Sequence, residues 1–114
     1  MKQLKRSECA ILPLVLKGKW YDMIASGEKK EEYRDYKPYW KTRLMKYLNS
    51  RNQGNQKRGV IAFSRGYKKP DLFFLDDTLF YLRNDRILCR HPEWGEPNTP
   101  HYIIGLGERV ELVD

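Results

Sequence analysis

The fold class this sequence predicts is α+β, mainly β: a small, partly closed β-barrel of five or six short strands with two helices in the first half. Three observations point there. Short strand-like apolar runs recur along the chain, separated by Gly, Pro, Asn and Asp. Apolar spacing of the helical kind occurs only before the chain's midpoint. And 114 residues suffice for one hydrophobic core but not two, so residues 1–114 form a single domain. Closing the sheet would also remove its exposed edges.

The elements follow in order. Residues 10–16 (AILPLVL) are continuous, branched and apolar, and read as a first strand. Pro13 inside it requires an edge position, a bulge, or a start just after the proline, because proline donates no ladder hydrogen bond. Over 17–26 the period changes, and Trp20, Met23 and Ile24 fall on one face of a short helix. Gly27 then suits the left-handed position that ends a helix. Residues 30–37 read as a second strand that starts in a turn. In it Glu32 and Arg34 share a face and Tyr33 points the other way, into the core. Pro38 suits a first helical turn, and 39–49 form an amphipathic basic helix. Trp40, Leu44, Tyr47 and Leu48 lie on its apolar face, with Lys41, Arg43 and Lys46 interleaved.

Residues 51–58 (RNQGNQKR) are polar and read as a mobile loop, and 59–64 (GVIAFS) as the cleanest buried strand. A basic aromatic loop follows at 65–70. Residues 72–75 and 78–82 are strand-like around Asp76-Asp77, and 87–89 form a short strand. Residues 91–100 make an irregular loop centred on Trp94-Gly95, in which Trp94 plugs a barrel end or caps a cleft. Strands at 101–106 and 109–113, around Gly107, close the chain.

Composition narrows the function. The net charge is +7, from 22 basic and 15 acidic residues, which favours polyanionic partners and RNA or a nucleotide first among them. No apolar run approaches the ~20 residues of a membrane span, and the stretch at 9–16 is too short and too interrupted for a secretory signal. A cytoplasmic protein with no membrane partner is expected. Cys9 and Cys89 read as buried free thiols, with one disulfide as the alternative. There is no CxxC, and His91 and His101 stand apart, so no metal and no cofactor are expected. Cys89 and His91 with an acid would be the remaining zinc option. Ser26 and Ser64 have no histidine nearby in sequence and no nucleophile elbow.

The densest chemistry lies at 27–40, GEKKEEYR followed by DYKPYW. Lys29 can hold a phosphate or act as a base. Glu32 can accept a proton or pair with Arg34, and Arg34 offers a fork for phosphate or a base edge. Tyr36, Tyr39 and Trp40 can stack on a planar ligand, although Trp40 also fits the core. Arg65, Tyr67 and Lys68 can form an opposite wall, and Lys69, Arg51, Lys57 and Arg58 are further phosphate contacts.

GEKKEEYR fits the G-x-K-x-x-E-x-R signature of the ASCH domains, which share the PUA-like fold, and most of the chain resembles that family. LVLKGKWYDMIASGEKKEEYRDYKPYWKTRL resembles the family's opening strand, helix, motif strand and second helix. VIAFSRGY resembles its central strand, and PEWG and YIIGLGERV the late loop and closing strands of short, often phage-associated members. The resemblance implies a PUA-like barrel whose cleft is lined by Lys29, Glu32 and Arg34 and takes RNA or a nucleotide. It also implies two alternatives: a hydrolase acting on RNA or on a modified nucleoside such as N4-acetylcytidine, and a phage protein-interaction module. The deacetylating subgroup carries threonine where this chain has Glu32.

Overall fold

The run at 9–16 forms a strand in which Ala10, Leu12, Leu14 and Leu16 are buried while Pro13 and Val15 face out. The computed structural model describes residues 1–52, 57–77, 81–82 and 101–114. Its elements are β1 (Lys2–Lys5), a 3₁₀ turn (Arg6–Glu8), β2 (Cys9–Leu16), α1 (Gly18–Ala25), β3 (Glu31–Asp35), α2 (Pro38–Asn52), β4 (Arg58–Arg65), β5 (Leu72–Asp76), β6 (Tyr81–Leu82) and β7 (His101–Val113). None of the described helices is long and apolar enough to cross a membrane.

The protein is α+β and mainly β, as its sequence predicts. Among the described residues one mixed sheet holds six strands longer than two residues, together with the two-residue β6. Its main path runs β1-β7-β5-β4-β2, and β3 and β6 also pair with β7. β2 lies parallel to β4 and ends that path, so of the three settings open to Pro13 the edge position is the one found. β5 is antiparallel to both β4 and β7, and β1 is parallel to β7.

The expected barrel is not closed. β1 and β2 occupy the two ends of the path and run in the same sense, yet only the Arg6–Glu8 turn separates them. Parallel neighbours need a crossover of about a dozen residues, so these two segments cannot pair side by side. They are successive stretches of one bent path. The sheet is nonetheless strongly curled. Its two edges lie four strand spacings apart, about 19 Å if flat, but the Cys9 thiol donates to Lys5 O at 3.3 Å. Cys9 is a free, buried thiol, held above its ordinary pKa chiefly by that burial.

Three further differences have local causes. β1 (KQLK) was not expected, because a four-residue segment with one apolar side chain carries no period. The two closing strands expected around Gly107 are one continuous β7 of 13 residues. α2 extends to Asn52, into the stretch expected as a loop. Expectations for 53–56, 78–80 and 83–100, including the strand at 87–89, Cys89, His91 and Trp94, lie outside the described residues.

The core combines Leu12, Leu14, Ile61, Phe63, Leu72 and Ile104 from the sheet with Ile24 of α1 and Leu44 of α2. Phe63 and Phe74 meet edge-on, with ring centroids 6.0 Å apart. α2 is pinned at its far end by polar contacts. Tyr47 donates its hydroxyl to Asp76 Oδ2 at 2.6 Å, and Arg51 pairs with the same oxygen at 3.1 Å. Gly59 makes room for this knot, since a Cβ there would overlap the Asp76 carboxylate and the Tyr47 hydroxyl.

Burial first, and then the bond to Asp76, push the Tyr47 phenol far above its ordinary value of 10.0. The folded state therefore keeps the proton that the unfolded chain releases near that pH. Stability from Tyr47 is complete below about pH 10 and is lost as pH rises towards the folded value. Denaturant titrations between about pH 9 and 12 should show stability falling with pH, and falling less steeply in Tyr47→Phe. Equal slopes would show that the hydroxyl does not hold its proton in the fold.

Candidate functional site

The turn after α1 builds the site. Gly27 takes the left-handed conformation (φ +85°) and its N–H donates to Ile24 O at 3.1 Å, so the helix stops where expected. The chain then doubles back, and Lys29 N–H reaches Met23 O at 3.0 Å. This return carries the Lys29 side chain beneath α1 and against the start of β3.

There Lys29 and Glu32 are both buried, at 3% and 5% exposure. Lys29 Nζ donates to Glu32 Oε1 at 2.8 Å, and Arg34 donates to Glu32 Oε2 at 2.7 Å. The Tyr33 backbone N–H also donates to Oε1, at 3.1 Å. Both carboxylate oxygens are thus engaged by charged donors, the arrangement that offsets the cost of burying a charge. The alternation expected along β3 places Glu32 and Arg34 on one face, in register with Ile104 and Tyr102 of β7.

Aromatic rings cover the cations. Lys29 Nζ lies 5.1 Å from the Trp20 ring centroid and 5.2 Å from that of Tyr33. Tyr33 was expected as core. It is instead half-buried, its ring against the ammonium and its hydroxyl donating to Glu31 at 2.9 Å. The Arg34 guanidinium lies 4.8 Å from the Trp40 ring, and that of Arg43 lies 5.5 Å from the same ring. Trp40 therefore packs on the core and also supports two arginines.

The same two arginines finish the open edge of β2. Leu16 O accepts from Gly66 N–H on the β4 side, so the alternate carbonyls Pro13 and Val15 point outward. Arg34 donates to Val15 O at 3.0 Å and Arg43 to Pro13 O at 3.5 Å. Capped in this way, the edge is a poor template for another strand. Arg34 is thus shared between the fold and the site. Its Nε is buried without a hydrogen-bond partner, as is that of Arg43.

Of the remaining candidates, Tyr36 is partly exposed beside Tyr102, with ring centroids 5.3 Å apart. Tyr39 is 61% exposed and accepts from Arg43 at 3.1 Å, which makes it the most accessible ring of the motif region. The expected opposite wall is not joined to the cluster. Arg65 pairs with Asp22 of α1 at 3.3 Å, Tyr67 is fully exposed and Lys68 is exposed. Among the described residues no hydrogen bond or ion pair links these three to Lys29, Glu32 or Arg34. Ser26 donates to Met23 O at 3.0 Å, as a helix-end contact. No three of His, Cys, Asp and Glu come together as a metal-ligand set among the described residues.

Sequence reasoning missed Trp20 and Tyr33 as neighbours of Lys29. The helical period explained Trp20 as core, and strand alternation alone put Tyr33 on the opposite side. No family model matches the chain, and no curated protein or solved structure matches it.

Proposed function

We propose that this protein is a cytoplasmic, PUA-like ASCH domain that binds RNA or a nucleotide at the Lys29–Glu32–Arg34 motif. The observation that carries the proposal is the charge of that cluster. Two cations surround one carboxylate whose oxygens are both already used. The remaining positive charge cannot be neutralised from within, and an anion of the ligand at Arg34 would complete it. Arg34, whose side chain keeps 16% exposure, is the member a ligand can reach. Tyr36 and Tyr39 supply ring faces beside it.

Binding is favoured over hydrolysis by the same geometry. A general base must come within hydrogen-bond reach of its substrate's proton, whereas Glu32 is 5% exposed and already accepts from Lys29, Arg34 and the Tyr33 N–H. Lys29 in turn is buried and donates to Glu32.

The test is a titration of fluorescently labelled single-stranded RNA and of a mononucleotide. RNA affinity should fall steeply between about 50 and 200 mM salt. Arg34→Lys, which keeps the charge and loses the fork, should weaken the mononucleotide by roughly tenfold, the loss of one charge-assisted bond. RNA affinity indifferent to salt would sink the proposal. Turnover of RNA or acylated cytidine by wild type, abolished in Lys29→Ala and Glu32→Gln, would replace it with an enzyme.

A further inference from the structure

α2 carries Lys41, Arg43, Lys46 and Arg51 and not one acidic residue over its 15 positions. That composition works against the helix. Lys41 sits in the first turn, where the helix dipole favours anions, and there is no carboxylate for an i,i+4 pair. The outward face is accessible: Lys41, Thr42, Met45, Lys46 and Asn49 are all exposed, and Tyr39 adds its ring at one end. Among the described residues neither Lys41 nor Lys46 has an acidic partner.

The positive surface continues past the helix. Lys46 and Ser50 line a pocket of about 320 Å³ between α2 and β2, floored by Ile11, Leu12 and Pro13 and rimmed by Arg43. At the C-terminal end of α2, on its sheet-facing side, Arg51 lines a second pocket, of about 200 Å³, with Lys57, Arg58, Gly59 and Asp76. Arg51 is offset by Asp76, but Lys57 and Arg58 have no acidic partner among the described residues. Lys41, Arg43 and Lys46 on α2, and Lys57 and Arg58 beyond its C-terminal end, thus have no acidic partner among the described residues, in a chain of net charge +7. From Tyr39 to Ser50 the helix covers about 17 Å, enough to follow a few nucleotides.

We infer that the outer face of α2, from Tyr39 and Lys41 to Ser50, together with Lys57 and Arg58 beyond its C-terminal end, is a second nucleic-acid surface that holds the sugar-phosphate backbone of a single strand. It excludes Lys29, Glu32 and Arg34 and meets the motif region only at Tyr39, and it rests on the proposed function only for the choice of RNA as the polyanion. The cations supply phosphate contacts, Asn49 and Ser50 supply uncharged hydrogen bonds, and the Tyr39 ring accepts a base. The surface selects for charge and strandedness, and sequence is left to the motif.

The test uses the whole chain with two double variants, Lys41→Gln/Lys46→Gln and Lys57→Gln/Arg58→Gln, whose exposed side chains leave the core untouched. Fluorescence anisotropy reads a single-stranded RNA of about a dozen nucleotides across a salt series, and a mononucleotide is titrated in parallel. Each double variant should make the log–log salt slope shallower by about 1.4 and weaken RNA roughly 20-fold at 0.1 M salt, because each lost single-strand phosphate contact is worth about 0.7. Mononucleotide affinity should stay at the wild-type value, whereas Arg34→Lys lowers it. Wild-type RNA affinity and slope in both double variants would overturn the inference and leave the motif as the sole site. Loss of mononucleotide binding in the double variants would overturn the separation of the two surfaces. A polyglutamate peptide of equal charge that binds as tightly as RNA would overturn the nucleic-acid assignment in favour of an acidic protein. Absence of RNA binding by wild type at low salt would overturn both this inference and the proposed function.

Discussion

Glu32→Ala should cost the fold about 3–5 kcal/mol, the loss expected when one partner of a buried ion pair is removed and the other charge stays behind. Here two charges stay behind. Lys29 Nζ and the Arg34 guanidinium both donate to Glu32, and Lys29 has no other hydrogen-bond acceptor among the described residues. The rings of Trp20 and Tyr33 soften the penalty without replacing a carboxylate, since a cation–π contact contributes about 0.5–2 kcal/mol. In a domain whose total stability is on the order of 5–15 kcal/mol, such a loss is close to unfolding. Urea titrations of Glu32→Ala, Lys29→Met and the double variant Lys29→Met/Glu32→Leu would measure it. The double variant should be less destabilised than the sum of the two single changes, because removing both charges leaves only Arg34 to rehydrate. If Glu32→Ala unfolds within about 0.5 kcal/mol of wild type, the range of an ordinary surface change, the cluster is solvated and the description of it as buried is wrong.

Gly59→Ala should be the most damaging single methyl group in the sheet. Gly59 is the second residue of β4, and the added Cβ would overlap both the Asp76 carboxylate and the hydroxyl of Tyr47 from α2. These atoms cannot swing away freely, since they bond to each other at 2.6 Å and Arg51 holds the same carboxylate. Overpacking costs about 1–3 kcal/mol, and a buried hydroxyl or carboxylate left unpaired adds about 1–3 kcal/mol more. A total loss of about 2–6 kcal/mol is therefore expected. Thermal melts of Gly59→Ala, Tyr47→Phe and the pair would check it. With the hydroxyl already gone, the methyl group should cost distinctly less than it does alone. Full additivity would mean that the glycine serves backbone conformation and not the Tyr47–Asp76 contact.

How much of this was legible in the sequence depends on how local the cause is. Gly27 as a helix stop, Pro38 in the first turn of α2 and Pro13 on an edge strand all follow from backbone constraints of single residues. The pairing of Glu32 with Arg34 follows from the two-residue period of a strand. Lys29 reaches the same carboxylate because its stem is long and the turn is short. What a linear pattern cannot carry is long-range placement. That Arg65 answers to Asp22, and does not line the motif, depends on how α1 lies across the end of β4. That Arg43 caps Pro13 O depends on the docking of α2 along β2. The open sheet in place of a barrel has the same origin. Strand number and turn spacing suit both forms, and the choice is made by β1, whose four mostly polar residues show no strand period.

The pairing of β1 with β7 has a consequence for the order of assembly. Gln3 bonds to Glu111 across a separation of 108 residues, so β1 has no strand partner until residues 110–113 have been made. β2, β4 and β5 can associate earlier with one another, whereas β3, like β1, pairs with β7. β1 must wait, extended and unpaired, while the chain is being made. A hydrophobic strand left in that state would recruit the wrong edge. KQLK is suited to waiting, since its two lysines and glutamine keep it in water and its single leucine enters only when Leu112 arrives. The polarity that hid this strand from sequence inspection is what lets the chain carry it safely until last.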